Sequence, residues 1–155
     1  MRLTEIFSLE CVKVPLTATD KQAAITEMVD LLNDAGKLSD RDLMLQATLE
    51  REATRTTGIG NGLAIPHGKC AAVSELVMGI GKPAKPIGFD SIDGKPVTIV
   101  IFLASPPDKT GPHIQALARI SRLMTDPKFR RELDQAETAE QVYELFQASE
   151  GNQQD

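Results

Sequence analysis

The longest apolar run in this chain, Val97 to Ala104, holds Thr98 as its one polar residue and lies between Pro96 and Ser105-Pro106-Pro107. It is far short of the roughly 18 apolar residues that a membrane-spanning helix needs, and its β-branched content fits a buried or half-buried strand. The rest of the chain is therefore read as what surrounds a sheet. Leu63 to Ile65 and Leu76 to Ile80 are further short apolar segments that read as strands. Cys11 to Val14 is another candidate, and Pro86 to Phe89 a short edge piece.

Helical periodicity brackets these segments. Thr19-Asp20-Lys21-Gln22 has the form of a capping box, and Ala24, Ile25, Met28, Val29, Leu31 and Leu32 follow at helical spacing until Gly36. Ser39 can cap a second helix that carries Leu43, Met44, Ala47 and Leu49 and ends near Ala53. Past Pro106-Pro107, Pro112 suits a first helical position, with Ile114, Leu117, Ala118, Ile120 and Met124 on one face. Asp126-Pro127 opens a short helix with Phe129 and Leu133, and Thr138-Ala139-Glu140-Gln141 forms a second capping box before Val142, Leu145 and Phe146. Strands interspersed with helices, then a helical end, predict one α/β domain over residues 1–150, with 151–155 as a flexible tail.

Length and charge narrow the classes of function. At 155 residues the chain can bury one full core, and two domains would be cramped. A net charge of -5 with no run of Lys and Arg argues against nucleic acid and against anionic membrane, and no Trp with one Tyr leaves no platform for stacking bases. Arg2, Glu5 and Glu10 around Ile6 and Phe7 lack the apolar centre of a signal peptide, and no segment is expected to insert in a membrane. The expected location is the cytoplasm, with Cys11 and Cys70 as reduced thiols.

Chemistry concentrates between Arg51 and Lys69. There Gly58-Ile59-Gly60-Asn61-Gly62 leads through Leu63-Ala64-Ile65-Pro66 to His67-Gly68-Lys69, one of only 2 histidines in the chain. Glycine permits close backbone approach to a ligand, while Arg and Lys attract anions, so the segment can bring a phosphate-like group to an imidazole. The glycine run follows a helix and enters a strand, the reverse of a dinucleotide-binding turn, and no Gly-Lys-Ser/Thr closes it into an ATP cradle. A metal set of His67, Cys70, His113 and Cys11 lacks the spacing of any common zinc module, and a Cys70–His113 nucleophile pair has no third residue to orient it. No metal and no cofactor is expected. From the residues alone His67 is either an imidazole that meets an anion or a loop histidine without chemistry. His113, beside Gly111 and Pro112 in the first turn of its helix, is open in the same way. The choice turns on whether the fold brings the two histidines together.

Arg51-Glu52, the string Thr57-Gly58-Ile59-Gly60-Asn61-Gly62-Leu63-Ala64-Ile65-Pro66-His67-Gly68-Lys69, the stretch Pro86 to Val97 and His113 with its helix together resemble the enzyme IIA proteins of the bacterial phosphotransferase system. The likeness is to the mannitol/fructose-type fold, specifically its nitrogen-related branch, and covers essentially the whole chain. It implies an α/β domain with a mixed β-sheet flanked by helices. It also implies that His67 accepts a phosphoryl group at Nε2 from an HPr-like phosphocarrier, with Nδ1 held by a backbone carbonyl. His113 matches the second family histidine, which helps hold the phosphoryl group, and Arg51 matches the arginine that neutralises its charge. Asn61, Gly62 and Gly68 are expected to support the phosphoryl pocket. Sugar-transporting relatives tend to carry Glu where this chain has Asn61, so that position favours the regulatory branch. Asp108-Lys109-Thr110-Gly111-Pro112 departs from the family pattern, which bears on where the helix before His113 starts. Three roles follow: a phosphocarrier that reports phosphoryl flux to regulatory targets, a docking module for a transporter or sensor kinase with phosphate as its off switch, or a sugar-specific enzyme IIA that serves a separate IIB partner. Ile59, Leu63 and Ile65 are candidates for a docking rim, and Lys69 for attracting the donor's phosphate.

Overall fold

The computed structural model describes residues 1–151. Its strands are Val12–Leu16 (β1), Gly58–Gly60 (β2), Leu63–Ala64 (β3), His67–Lys69 (β4), Val77–Pro83 (β5) and Ile99–Ser105 (β6). Its α-helices are Lys21–Asp34 (α1), Arg41–Thr54 (α2), Thr110–Leu123 (α3), Pro127–Gln135 (α4) and Ala139–Gly151 (α5). The apolar run of the sequence becomes β6, whose residues are all buried and whose edges are both paired. β5 lies antiparallel on one edge, while β3 and β4 lie parallel on the other. β1 extends the sheet beside β5 and β2 beside β3, giving a mixed sheet in the order β1-β5-β6-β3-β2. Val97 stays outside β6 and bridges Ile87, so the Pro86–Phe89 piece is an isolated bridge and not a strand.

One register detail decides where the chemistry can sit. Leu63 faces Ile99, Ala64 faces Val100 and His67 faces Leu103, so the offset to β6 is unchanged across the gap. β3 and β4 are thus one line, broken at Ile65-Pro66. Pro66 has no N–H to give, although its carbonyl still accepts from Leu103 N–H at 3.1 Å. Ile65 N–H turns instead to the Thr57 carbonyl at 3.0 Å.

The structure moves several predicted helix ends by a residue or two. Asp20, not Thr19, caps α1 by accepting from Ala23 N–H at 2.8 Å, and Asp40, not Ser39, caps α2 by accepting from Leu43 N–H at 3.1 Å. A carboxylate both accepts the bond and meets the positive end of the helix dipole. Ser39 is engaged elsewhere, its hydroxyl donating to the Ala72 carbonyl at 3.0 Å. α3 begins at Thr110, so Pro112 is its third residue and not its first; no N–H is needed there, and the ladder opens with His113 N–H donating to the Lys109 carbonyl at 3.1 Å. The buried face of α3 is also rotated from the predicted one. It consists of His113, Ala116, Ile120 and Leu123, while Ile114 is 60% exposed. At α5, Thr138 Oγ1 accepts from Gln141 N–H at 3.1 Å, but the Gln141 side chain accepts from Glu137 N–H at 2.7 Å, one residue before the expected position. Gly151 closes α5, and the remaining tail positions 152–155 lie outside the described residues.

A single hydrophobic cluster runs through sheet and helices. Phe146 of α5 meets Phe129 of α4 and Phe7 edge to face, with centroids 5.2 and 5.7 Å away, so the helical end closes over the N-terminus. Cys11 is buried, Cys70 is half-buried, and both are free thiols. Among the described residues no helix is long and apolar enough to cross a membrane.

Candidate functional site

His67 opens β4, just past the break in the β3–β4 line. The break leaves the Ile65 carbonyl 3.0 Å from His67 Nδ1. A carbonyl can only accept, so Nδ1 carries the proton and Nε2 keeps its lone pair. From the buried face of α3, His113 brings its ring to within 5.1 Å of the His67 ring, centroid to centroid, at an interplanar angle of 63°. The fold therefore joins the two histidines, which the sequence left as an open question.

Both rings are held neutral at physiological pH. Burial pushes His67 below the ordinary histidine range, and the positive charges of Arg51 and Lys69 push the same way; the Ile65 hydrogen bond and the Glu52 charge oppose them. His113 is 6% exposed, and burial, then His67 and Lys69, push its ring down to about 4. The buried His113 Nδ1 has no hydrogen-bond partner among the described residues. A lone pair is cheaper to leave there than an N–H, which places the proton of the neutral ring on Nε2. One ring thus offers a nucleophilic nitrogen and the other an N–H donor.

Positive charge gathers at the same end of the strand. Arg51, in the last turn of α2, donates Nη1–H to the Arg55 carbonyl at 2.9 Å, and its charge still weighs on His67. Lys69 Nζ donates to Thr110 Oγ1 at 3.3 Å, which ties β4 to the first residue of α3 and to the positive end of that helix. Gly68 has a packing reason to lack a side chain: a Cβ there would stand 2.5 Å from Thr48 Oγ1 and 2.7 Å from Met44 Sδ, so glycine lets α2 close on β4. Leu63 and Ile65 belong to the core, whereas Ile59 is exposed.

Asn61 and Gly62 lie elsewhere. They form the turn between β2 and β3 with φ of 57° and 78°, both left-handed, as a tight Asn-Gly hairpin turn requires. Gly62 O accepts from Thr98 and Ile99 N–H at 2.8 and 3.0 Å, at the start of β6, whereas His67 pairs with Leu103 near its end. Four residues of strand separate the two ends of the line by about 13 Å, beyond the reach of an Asn side chain. Asn61 N–H is bound to Asp93 Oδ2 at 3.0 Å, and the residue lines a cavity with Lys82, Arg130 and Asp134.

Glu52 enters the sequence argument only as part of the Arg51-Glu52 pair, with no role of its own. It is only 7% exposed, with Oε2 2.8 Å from Lys21 Nζ. Met44, Thr48 and Glu52 make up the buried stripe of α2, and their i, i+4 spacing was the available signal. Among the described residues no three His, Cys, Asp or Glu side chains are placed to hold a metal ion.

The model of the family "Phosphoenolpyruvate-dependent sugar phosphotransferase system, EIIA 2" matches residues 5–149. A fructose-specific EIIA component of Haloferax volcanii is 35% identical over 93% of this chain and 94% of its own. A nitrogen regulatory protein of Klebsiella oxytoca is 31% identical over 98% and 94%. The fructose-specific EIIABC component of Bacillus subtilis is 34% identical, and the match spans 23% of its length. The crystal structure of the nitrogen regulatory protein IIA-Ntr from Neisseria meningitidis superposes with a TM-score of 0.84 at 30% identity, covering 93% of this chain and 98% of that one. With a match of this extent and full-length relatives above 30% identity, the chain belongs to the EIIA 2 family of the phosphoenolpyruvate-dependent sugar phosphotransferase system.

Proposed function

We propose that His67 accepts a phosphoryl group at Nε2 from the phosphohistidine of an HPr-like carrier in the cytoplasm, and that the phosphorylation state governs regulatory targets such as transporters or sensor kinases. The observation that carries this reading is the 3.0 Å bond from His67 Nδ1–H to the Ile65 carbonyl, which leaves Nε2 unprotonated. In the transfer, the Nε2 lone pair forms the new N–P bond while the donor's N–P bond breaks and returns its electron pair to the donor ring. The His67 ring becomes cationic and keeps its Nδ1 proton on the carbonyl, so no base is needed. Phosphoryl transfer has a loose transition state with charge spread over three oxygens, and positioning and electrostatics do most of the work. His113 Nε2–H, Arg51, Lys69 and the start of α3 supply that electrostatic support.

The regulatory reading draws on the full-length relatives named nitrogen regulatory protein. A second reading, a fructose- or mannitol-type enzyme IIA that hands phosphate to a separate IIB subunit, is favoured by the 35% identity to the Haloferax fructose component. Asn61 does not discriminate chemically between them, because its left-handed φ of 57° already explains the residue. Labelled phosphoenolpyruvate with enzyme I and an HPr-like carrier tests the acceptor: wild type takes label and His67→Ala does not, whereas equal labelling of the variant contradicts the assignment. Adding fructose-specific IIB then separates the readings, since label that stays on the chain supports regulation and label that drains supports transport.

A further inference from the structure

We infer that Glu52 is the positioning residue of the His67 imidazole, acting through Thr57 and Ile65; the inference rests on His67 as the phosphoryl acceptor. Glu52 Oε2 accepts from Thr57 N–H at 2.8 Å, and Oε1 accepts from the Thr57 hydroxyl. The Thr57 carbonyl accepts from Ile65 N–H at 3.0 Å, and the Ile65 carbonyl accepts from His67 Nδ1–H at 3.0 Å. Each of these N···O distances is that of an ordinary hydrogen bond, and Thr57 and Ile65 are 4% exposed, which leaves water little access to replace a lost partner.

The break at Ile65-Pro66 gives this chain of bonds its purpose. Elsewhere the β3–β4 line is fixed by its ladder to β6, but Ile65 N–H is turned to Thr57. The carbonyl that selects the His67 tautomer is therefore only as well placed as Thr57 is. Thr57 is held on its other side by a side chain from a different element, in the last turn of α2, and that side chain is anchored by Lys21 in the first turn of α1. Three separate elements thus converge on one ring nitrogen. The successive links run through the Cα atoms of Thr57 and Ile65 and not through a single peptide unit, so the effect is positional; the Glu52 charge adds to it by favouring the positive ring that phosphorylation creates. A carboxylate suits the place because it accepts both Thr57 donors while facing an ammonium.

The test combines imidazole ¹⁵N NMR of His67 with transfer rates from an HPr-like carrier, for Glu52→Ala, Glu52→Gln and, as a control, Asp30→Ala, which breaks the 2.7 Å Arg41–Asp30 pair away from these bonds. Wild type should show Nδ1 protonated and Nε2 free. Glu52→Ala should mix the two tautomers and slow transfer by about tenfold to a hundredfold. Glu52→Gln keeps an acceptor for Thr57 N–H and should fall between, and it decides the matter if the alanine variant does not fold. Asp30→Ala should leave tautomer and rate as in wild type. A wild-type tautomer ratio and rate in folded Glu52→Gln and Glu52→Ala overturns the inference, as does an equal tautomer change in Asp30→Ala. If wild-type His67 takes no phosphate at all, the acceptor reading fails, while the tautomer result still reports on Glu52 alone.

Discussion

The two ends of the β3–β4 line use similar residues for different purposes. At the Asn61 end, Asn and Gly serve the backbone, which must turn through left-handed conformations to start a strand. At the His67 end, a break in the same strand frees a carbonyl to serve a side chain, and glycine serves the packing of α2. In the sequence the Gly58–Lys69 string reads as one phosphate-binding element. In three dimensions a strand advances about 3.3 Å per residue, so the string from Gly58 to Lys69 cannot stay at one site, and it divides into a turn and a site.

The largest expected effect that sharpens this contrast is a pH dependence confined to the histidine end. The unfolded chain protonates His113 near 6.5, and the folded chain protonates it only at about 4. Between those values the unfolded state holds more protons at this ring, so the contribution of His113 to stability falls as pH is lowered from 6.5 to about 4 and levels off below, by on the order of 3 kcal/mol. Urea unfolding across that range should show a difference between wild type and His113→Gln that grows as pH drops; parallel curves would remove the buried neutral ring from the account. Next, Gly68→Ala should cost about 2 kcal/mol, because α2 must yield to a Cβ only 2.5 Å from Thr48 Oγ1. Thermal denaturation checks it, and an unchanged melting temperature would mean that α2 gives way freely. Arg51→Ala should slow phosphoryl transfer by about tenfold with little change in stability, since its side-chain hydrogen bond to the Arg55 carbonyl is exposed. A wild-type rate would take Arg51 out of the site. The smallest effect belongs to the other end: Asn61→Ala should cost about 1 kcal/mol for a left-handed alanine and leave the transfer rate unchanged. A clear rate loss there would break the distinction between the two ends.

Much of the architecture was legible in the sequence because period and composition agreed. The apolar run became β6, and all five helices were found, each starting within two residues of the expected position. Three of the misreadings share one cause, a reliance on apolarity. On α3 a polar residue, His113, occupies the buried face, so the stripe of apolar residues suggested a rotated helix with Ile114 inward. β2 is Gly-Ile-Gly, which carries no strand propensity, although Asn-Gly between two short segments is a hairpin signal in its own right. Glu52 was named beside Arg51 but given no role, because charged residues are seldom buried unless paired, and its partners, Lys21 and Thr57, are not neighbours on its helix. His67 and His113 were readable as candidates from chemistry and resemblance. Their meeting at 5.1 Å depends on pairing between distant segments, which no local pattern encodes.

In the proposed transfer the Ile65 carbonyl fixes the His67 tautomer, so that Nε2 is the attacking atom. It is tested most directly by ³¹P and ¹⁵N NMR of the protein phosphorylated through enzyme I and an HPr-like carrier. The expected product is a single phosphohistidine at residue 67, linked through Nε2, with Nδ1 still protonated. A phosphoryl group on His67 Nδ1, or on His113, would contradict it.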